Sequence, residues 1–108
     1  MTTKQSTLHE GILKNIDTSN PQTGQALADL ILAEANRREH LHGAVRQANW
    51  DPTWGIVILV EDAGHRQHLA NAIDLPPETF SYRTGMLRGT GREGEFHGYK
   101  VTIWNLDA

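Results

Sequence analysis

Glu61, Asp62, His65 and His68 are the residues whose types and spacing come nearest to a reactive centre. Two imidazoles three positions apart on a helix can share an ion, and an upstream carboxylate can complete a ligand set or act as a general acid or base. The same stretch has a simpler account. Asp62 ahead of Ala63-Gly64 suits a helix N-cap, and acidic residues are favoured at the positive end of a helix. The pattern fixes no third ligand, so no metal, cofactor or catalytic residue is assigned. A small metal-dependent or hydrolytic enzyme centred on residues 61–68 stands as a second alternative. His40 and His42 diverge on a helix and cannot chelate one ion unless it breaks at Gly43. The serines, Ser6, Ser19 and Ser81, are in no Gly-x-Ser-x-Gly elbow. Cysteine is absent, which excludes disulfides, thiolate zinc sites, Fe–S clusters and a cysteine nucleophile.

Gly89-Thr90-Gly91-Arg92-Glu93-Gly94 reproduces the glycine spacing of a dinucleotide-binding fingerprint. That motif needs a strand before it and a helix after it, so that helix amides meet a pyrophosphate. Here Glu95 to Val101 read as turn and strand, and a flexible hairpin loop is the expectation. Arg83, Arg88, Arg92 and Lys100 gather around it, with Tyr82, Phe96 and Tyr99 interleaved. Basic and aromatic side chains alternating on strands can bind single-stranded nucleic acid through phosphate pairing and base stacking. A nucleic-acid-binding module using those four cations is therefore the first alternative. Against it, Glu78, Glu93 and Glu95 dilute the patch, and ten Lys plus Arg against thirteen Asp plus Glu give a net charge of -3. The global field does not favour a polyanion.

The elements that must position these residues follow from patterning. With 108 residues, 38% hydrophobic and 21% charged, the chain suits a single domain over 1–108 with a modest core and no covalent staple. Residues 1–6 are polar and expected to be flexible. Thr7 with Glu10 makes a capping box for a helix over 7–17, and Asn20-Pro21 starts a second over 21–47. The second carries Leu27, Leu30, Ile31 and Ala35, then Leu41, Ala44, Val45 and Ala48. A charged middle separates them, with Glu34 and Arg38 at ion-pair spacing. Unbroken, it would be about 40 Å long and would need a partner chain; a break near Gly43 is the other solution. Asn49 to Pro52 reads as a turn. Strands are expected over 54–60, buried on both faces, and over 80–88 and 99–106, with a short crossover helix over 64–74. In the last strand Tyr99, Val101 and Ile103 share one face, and Trp104 and Leu106 the other. The class is α+β, with N-terminal helices on a small mixed or antiparallel sheet. Trp54 and Trp104 are expected in the core and Trp50 at a surface.

No chemical constellation outweighs its structural account, so the expected function is non-catalytic. The chain reads as a small protein-binding or adaptor protein, of the kind a bacterium or phage uses to inhibit or assemble with a larger complex. Trp50, Arg37, Arg38, Arg88 and Arg92 are the expected partner-binding residues. The partner is another protein or a second copy, the latter through the long helix. The longest apolar run, Ile56 to Val60, is too short to span a bilayer, and a soluble cytoplasmic protein is the expectation.

Overall fold

The computed structural model describes residues 24–107. The helix read at 7–17, the polar stretch at 1–6 and positions 21–23 of the second helix lie outside the described residues. Helix α1 (Gly24–Asn36) is followed by a 3-10 turn (Glu39–Leu41), β1 (Val45–Asp51), β2 (Gly55–Val60), helix α2 (Ala63–Ala72), β3 (Phe80–Thr84), β4 (Leu87–Phe96) and β5 (Tyr99–Leu106). The strands form one five-stranded sheet in the order β1-β2-β5-β4-β3. β2 and β5 are parallel and the other neighbours antiparallel. The class is α+β with a mixed sheet.

α1 buries Leu27, Ala28, Ile31 and Ala35, a stripe at helical spacing that docks on β1 and β2. The expected helix over 21–47 ends at Asn36. The amides of Arg37 and Arg38 bond back to the carbonyls of Glu34 and Ala35 at 3.2 and 3.0 Å, which tightens the last turn. Asn36 then holds the reversal, its Oδ1 accepting from the Gly43 amide at 3.2 Å and its carbonyl lying 2.8 Å from His42 Nδ1. Gly43 has φ 75°, a left-handed conformation in which a side chain costs about 1 kcal/mol or more. The break falls at 37–44, so the argument for an oligomer from helix length falls with it.

Residues 45–51, read as helix and turn, form β1. Its pairing with β2 shifts register between Val45 and Gln47. This bulge places Val45 and Ala48 at a helix-like spacing and hides the alternation of a strand. In β2, Ile56, Ile58 and Val60 are buried and pack with Val101 and Ile103 of β5, with Leu27 and Ile31 of α1 and with Leu69 and Ile73 of α2 in one core. Each such side chain contributes about 1.5–3 kcal/mol. Both helices therefore lie on one face of the sheet. On the other face Val57 and Leu59 are only half-buried, which corrects the expectation of a strand buried on both sides. β5 runs over the expected residues. The connection from β2 to its parallel neighbour β5 contains α2 and the β3–β4 hairpin, which places α2 in the crossover.

The glycine-rich stretch is the interior of β4 rather than a flexible loop, and the strand expected at 80–88 divides at Gly85-Met86 into β3 and the start of β4. A Cβ at Gly91 would meet Phe80 Cζ and Trp104 Cβ, both at 3.2 Å; one at Gly89 would collide with the Asn105 carbonyl and lie 2.7 Å from Trp104 Cε3. On the helix-bearing face, a Cβ at Gly94 would lie 2.7 Å from Pro76 Cδ and 3.0 Å from Leu75 Cδ2. The fingerprint spacing is thus a packing pattern: bare backbone where rings and loop side chains must approach. Two tryptophans differ from expectation. Trp54 is 59% exposed, because Asp51 Oδ1 accepts from the amides of Thr53 and Trp54 at 2.7 and 3.0 Å and holds it in the β1–β2 turn. Trp50 belongs to β1 and lies half-buried over the Gly24 backbone of α1.

Replacing Gly89 by Ala is expected to lower the unfolding free energy by about 1–3 kcal/mol through overpacking. Gly64→Ala, in α2 with its nearest neighbour at 3.4 Å, is expected to raise it by up to about 1 kcal/mol. Chemical denaturation of the two variants checks this, and a common sign would refute the packing account.

Candidate functional site

Residues 61–68 are occupied by local structure. Asp62 is the N-cap of α2, its Oδ1 accepting from the His65 amide at 2.9 Å and lying 2.8 Å from His65 Nδ1. The His65 backbone N–H is the largest influence holding the Asp62 carboxyl below its ordinary value of 3.8; partial desolvation opposes it, and the imidazole adds to it. Glu61 pairs with Arg46 at 2.8 Å. The His68 ring meets His40 edge-on, with centroids 5.2 Å apart. Among the described residues no cluster of three or more His, Asp or Glu could hold a metal ion.

The cations grouped by sequence separate in space. Alternation along β4 places Arg88 and Arg92 on the helix-bearing face, and the Arg83–Arg88 register pair puts Arg83 there as well. Lys100 of β5 is on the opposite face, 3.4 Å from Glu93. Arg92 is 4% exposed and is hydrogen-bonded through all three nitrogens: Nε donates to the Pro76 carbonyl at 2.8 Å, Nη1 to Asn71 Oδ1 at 2.8 Å and Nη2 to the Leu75 carbonyl at 2.6 Å. It ties the end of α2 and the following loop to β4. Burial pulls its pKa down, the nearby Arg66 charge adds to this, and Glu78 opposes it. Arg37 and Arg38 both reach Glu34, at 2.8 and 3.5 Å, and that carboxylate is itself buried at the end of α1. Arg66, which the sequence reading did not single out, donates from Nη1 to Asn105 Oδ1 at 2.7 Å. Its signal was the spacing Asp62-x-x-x-Arg66, which carries an arginine one turn into the helix that follows β2.

On the face without helices, a groove of about 220 Å³ is lined by Trp54, Val57, Phe80, Glu93, Lys100 and Thr102, with Ser81, Tyr82 and Arg83 completing its β3 side. Next to it the Tyr82 and Trp104 rings are 4.5 Å apart, and Phe80 meets Tyr82 edge-on at 6.1 Å. Leu106 and Leu87 are exposed on the same face. Of the partner-binding residues expected from sequence, Trp50 lies against α1, Arg92 inside the fold, Arg37 and Arg38 around Glu34, and Arg88 in the open beside Arg83. The sequence signal for the groove was the run Trp104-x-Leu106 facing Phe80-x-Tyr82 across two glycines. No described helix is long and apolar enough to cross a membrane.

Two stability measurements test these placements. Arg92→Leu leaves three acceptors unsatisfied and is expected to cost at least about 2 kcal/mol, whereas Arg88→Gln should stay within about 0.5 kcal/mol; equal losses in urea denaturation would contradict the burial of Arg92. For the cap, a depressed carboxyl pKa means that the charge stabilises the fold above the ordinary value of 3.8 and loses that effect as pH falls through the folded value. The denaturation midpoint of the wild type should therefore exceed that of Asp62→Asn at neutral pH, and the gap should close in acid.

Comparison of the chain with protein-family models, with curated proteins and with solved structures gives no match, so the function is argued from these two surfaces alone.

Proposed function

We propose that this chain is a small non-catalytic protein-docking module that binds through the helix-free face of its sheet, with a second copy of the chain as its partner. The observation that carries the reading is the uncovered strip formed by Trp54, Val57, Phe80, Tyr82 and Leu106, beneath which Trp104 packs as a floor. Among the described residues nothing lies over it. A sheet face with aromatic and aliphatic side chains favours a covering layer, since removing that surface from water contributes about 25 cal/mol per Å². Tryptophan and tyrosine in an open groove are the residues that most often dominate a protein interface.

Self-pairing is favoured by charge. Glu93 and Lys100 stand on the same face and already pair at 3.4 Å within the chain. Across a two-fold axis each can meet its opposite in the other copy, as an isologous contact requires. Two such faces would pack as a sandwich about 10 Å apart. The docking surface is thus the sheet and not the helix, and the tryptophan at its rim is Trp54 rather than Trp50.

Light scattering over a range of protein concentrations tests this. The wild type should form dimers that persist in high salt, because the contact is mainly apolar. A Trp54→Asp/Leu106→Asp variant, altered at two exposed positions, should be monomeric while keeping the wild-type circular dichroism spectrum and a cooperative unfolding transition that no longer depends on protein concentration. A wild type that stays monomeric throughout the range, or a variant that dimerises equally well, overturns the proposal.

A further inference from the structure

The described residues contain eight Lys and Arg side chains, and they fall into two groups. Arg37, Arg38, Arg46 and Lys100 each have a carboxylate within 4.0 Å. Arg66, Arg83, Arg88 and Arg92 have none among the described residues. The second group is gathered at one corner of the fold. Arg83 and Arg88 face each other across β3 and β4, and Ser81 pairs with Thr90 in the next row of the same face. Thr90 in turn pairs with Asn105 of β5, and Asn105 receives the Arg66 guanidinium from above at 2.7 Å. Arg92 follows one row further on. Strands about 4.8 Å apart and residues about 6.6 Å apart along a strand keep this whole set within the reach of one small ligand.

We propose that this corner, built from Arg66, Arg83 and Arg88 around Ser81, Thr90 and Asn105, binds a phosphate-bearing anion. Guanidinium forks match phosphate oxygens bidentately, and the Ser81 hydroxyl adds a neutral donor. Arg66 makes one hydrogen bond, through Nη1, and its buried Nε has no acceptor, so part of its donor capacity is unused. Each nitrogen of Arg92 is already hydrogen-bonded within the fold, but its buried charge adds to the local field. The carboxylates that compete are Asp107, which accepts from Thr90 Oγ1 at 3.1 Å, and Glu78, which acts on Arg92. The N-terminus of α2 is not the device, since Asp62 already occupies it. The location agrees with the general placement of ligands at the carboxyl ends of parallel strands, here β2 and β5. The side chains of this site belong to the helix-bearing face, although Ser81 and Arg83 also border the docking groove along β3; Arg66 and Arg88 do not, and the variants that test the groove change none of these residues.

Calorimetric titration in a phosphate-free buffer at low salt tests the site with two probes, pyrophosphate and a single-stranded twelve-nucleotide DNA. At least one should bind saturably, and Arg83→Gln/Arg88→Gln, at two exposed positions, should weaken it about tenfold or more. Arg37→Gln/Arg46→Gln, which removes the same charge elsewhere, should leave binding within about twofold. Binding of pyrophosphate assigns the corner to a small phosphorylated ligand. Binding of the oligonucleotide alone, falling steeply with salt, assigns it to a nucleic-acid backbone. Absence of saturable binding by both probes, or equal weakening by the two double variants, overturns the proposal.

Discussion

Trp104 projects from the middle of β5 onto the face that bears no helix, and it is nevertheless 4% exposed. The reason is the bare backbone of Gly89 and Gly91 in the neighbouring strand, which lets the indole lie flat where any Cβ would hold it off. Tyr82 of β3 then packs against the indole, and Phe80 lies over Gly91. One residue thus joins three strands on the side away from the core. This is how a sheet covered on one face holds its other face in order without a second layer of helices. It is also why that face is a floor of rings rather than the polar surface that an antiparallel sheet ordinarily turns to water.

The opposite face depends on a different device. Arg92 is buried without a carboxylate, an expensive arrangement unless every donor is met. Its three acceptors are the carbonyls of Leu75 and Pro76 and the side chain of Asn71, all in or just after the last turn of α2. The two carbonyls lie in the loop that follows α2, and hydrogen bonds from a charged donor are stronger than those between neutral groups. Gly94 completes the join by admitting Leu75 and Pro76 against β4. The crossover from β2 to β5 is therefore fastened at its exit by one guanidinium and one missing side chain. At its entry it is fastened by the Asp62 cap and the Arg66–Asn105 bond. This fastening brings two guanidinium charges to one corner, and Arg83 and Arg88 extend it outward.

How far these features were legible depends on whether local pattern and tertiary packing agree. Tyr99 to Leu106 alternate cleanly and match β5, and Asp62 ahead of Ala63-Gly64 announced the cap of α2. The start of β1 was not legible, because a bulge after Val45 converts a strand pattern into a helical one. The Gly89 to Gly94 spacing reads as a loop because Glu95 to Val101 give turn and strand where the fingerprint needs a helix. Its role appears only once Trp104, Phe80 and Pro76 are in place. Proximity in sequence also misled the grouping of cations: Lys100 falls on the face opposite Arg88 and Arg92, whereas Arg66 arrives from a helix seventeen positions upstream of Arg83. Chemistry that depends on which face a side chain occupies needs register as well as composition.

The β3–β4 hairpin is shared by both surfaces, and its alternation keeps them apart. Tyr82 contributes to the aromatic face and Arg83, one residue on, to the basic one. An edge strand gains from positive charge in any case, because charge discourages pairing with foreign strands. That benefit would explain Arg83 but not Arg88, whose strand β4 lies inside the sheet, and two like charges directly across a strand pair cost up to about 1 kcal/mol. It does not explain Arg66, which lies away from the edge, over Asn105, with part of its donor set unused. Edge protection asks only for charge at the rim, and it would be served equally well if Arg66 had a carboxylate beside it as Arg46 does. The uncompensated position of Arg66 is the feature that separates a binding corner from a merely guarded edge.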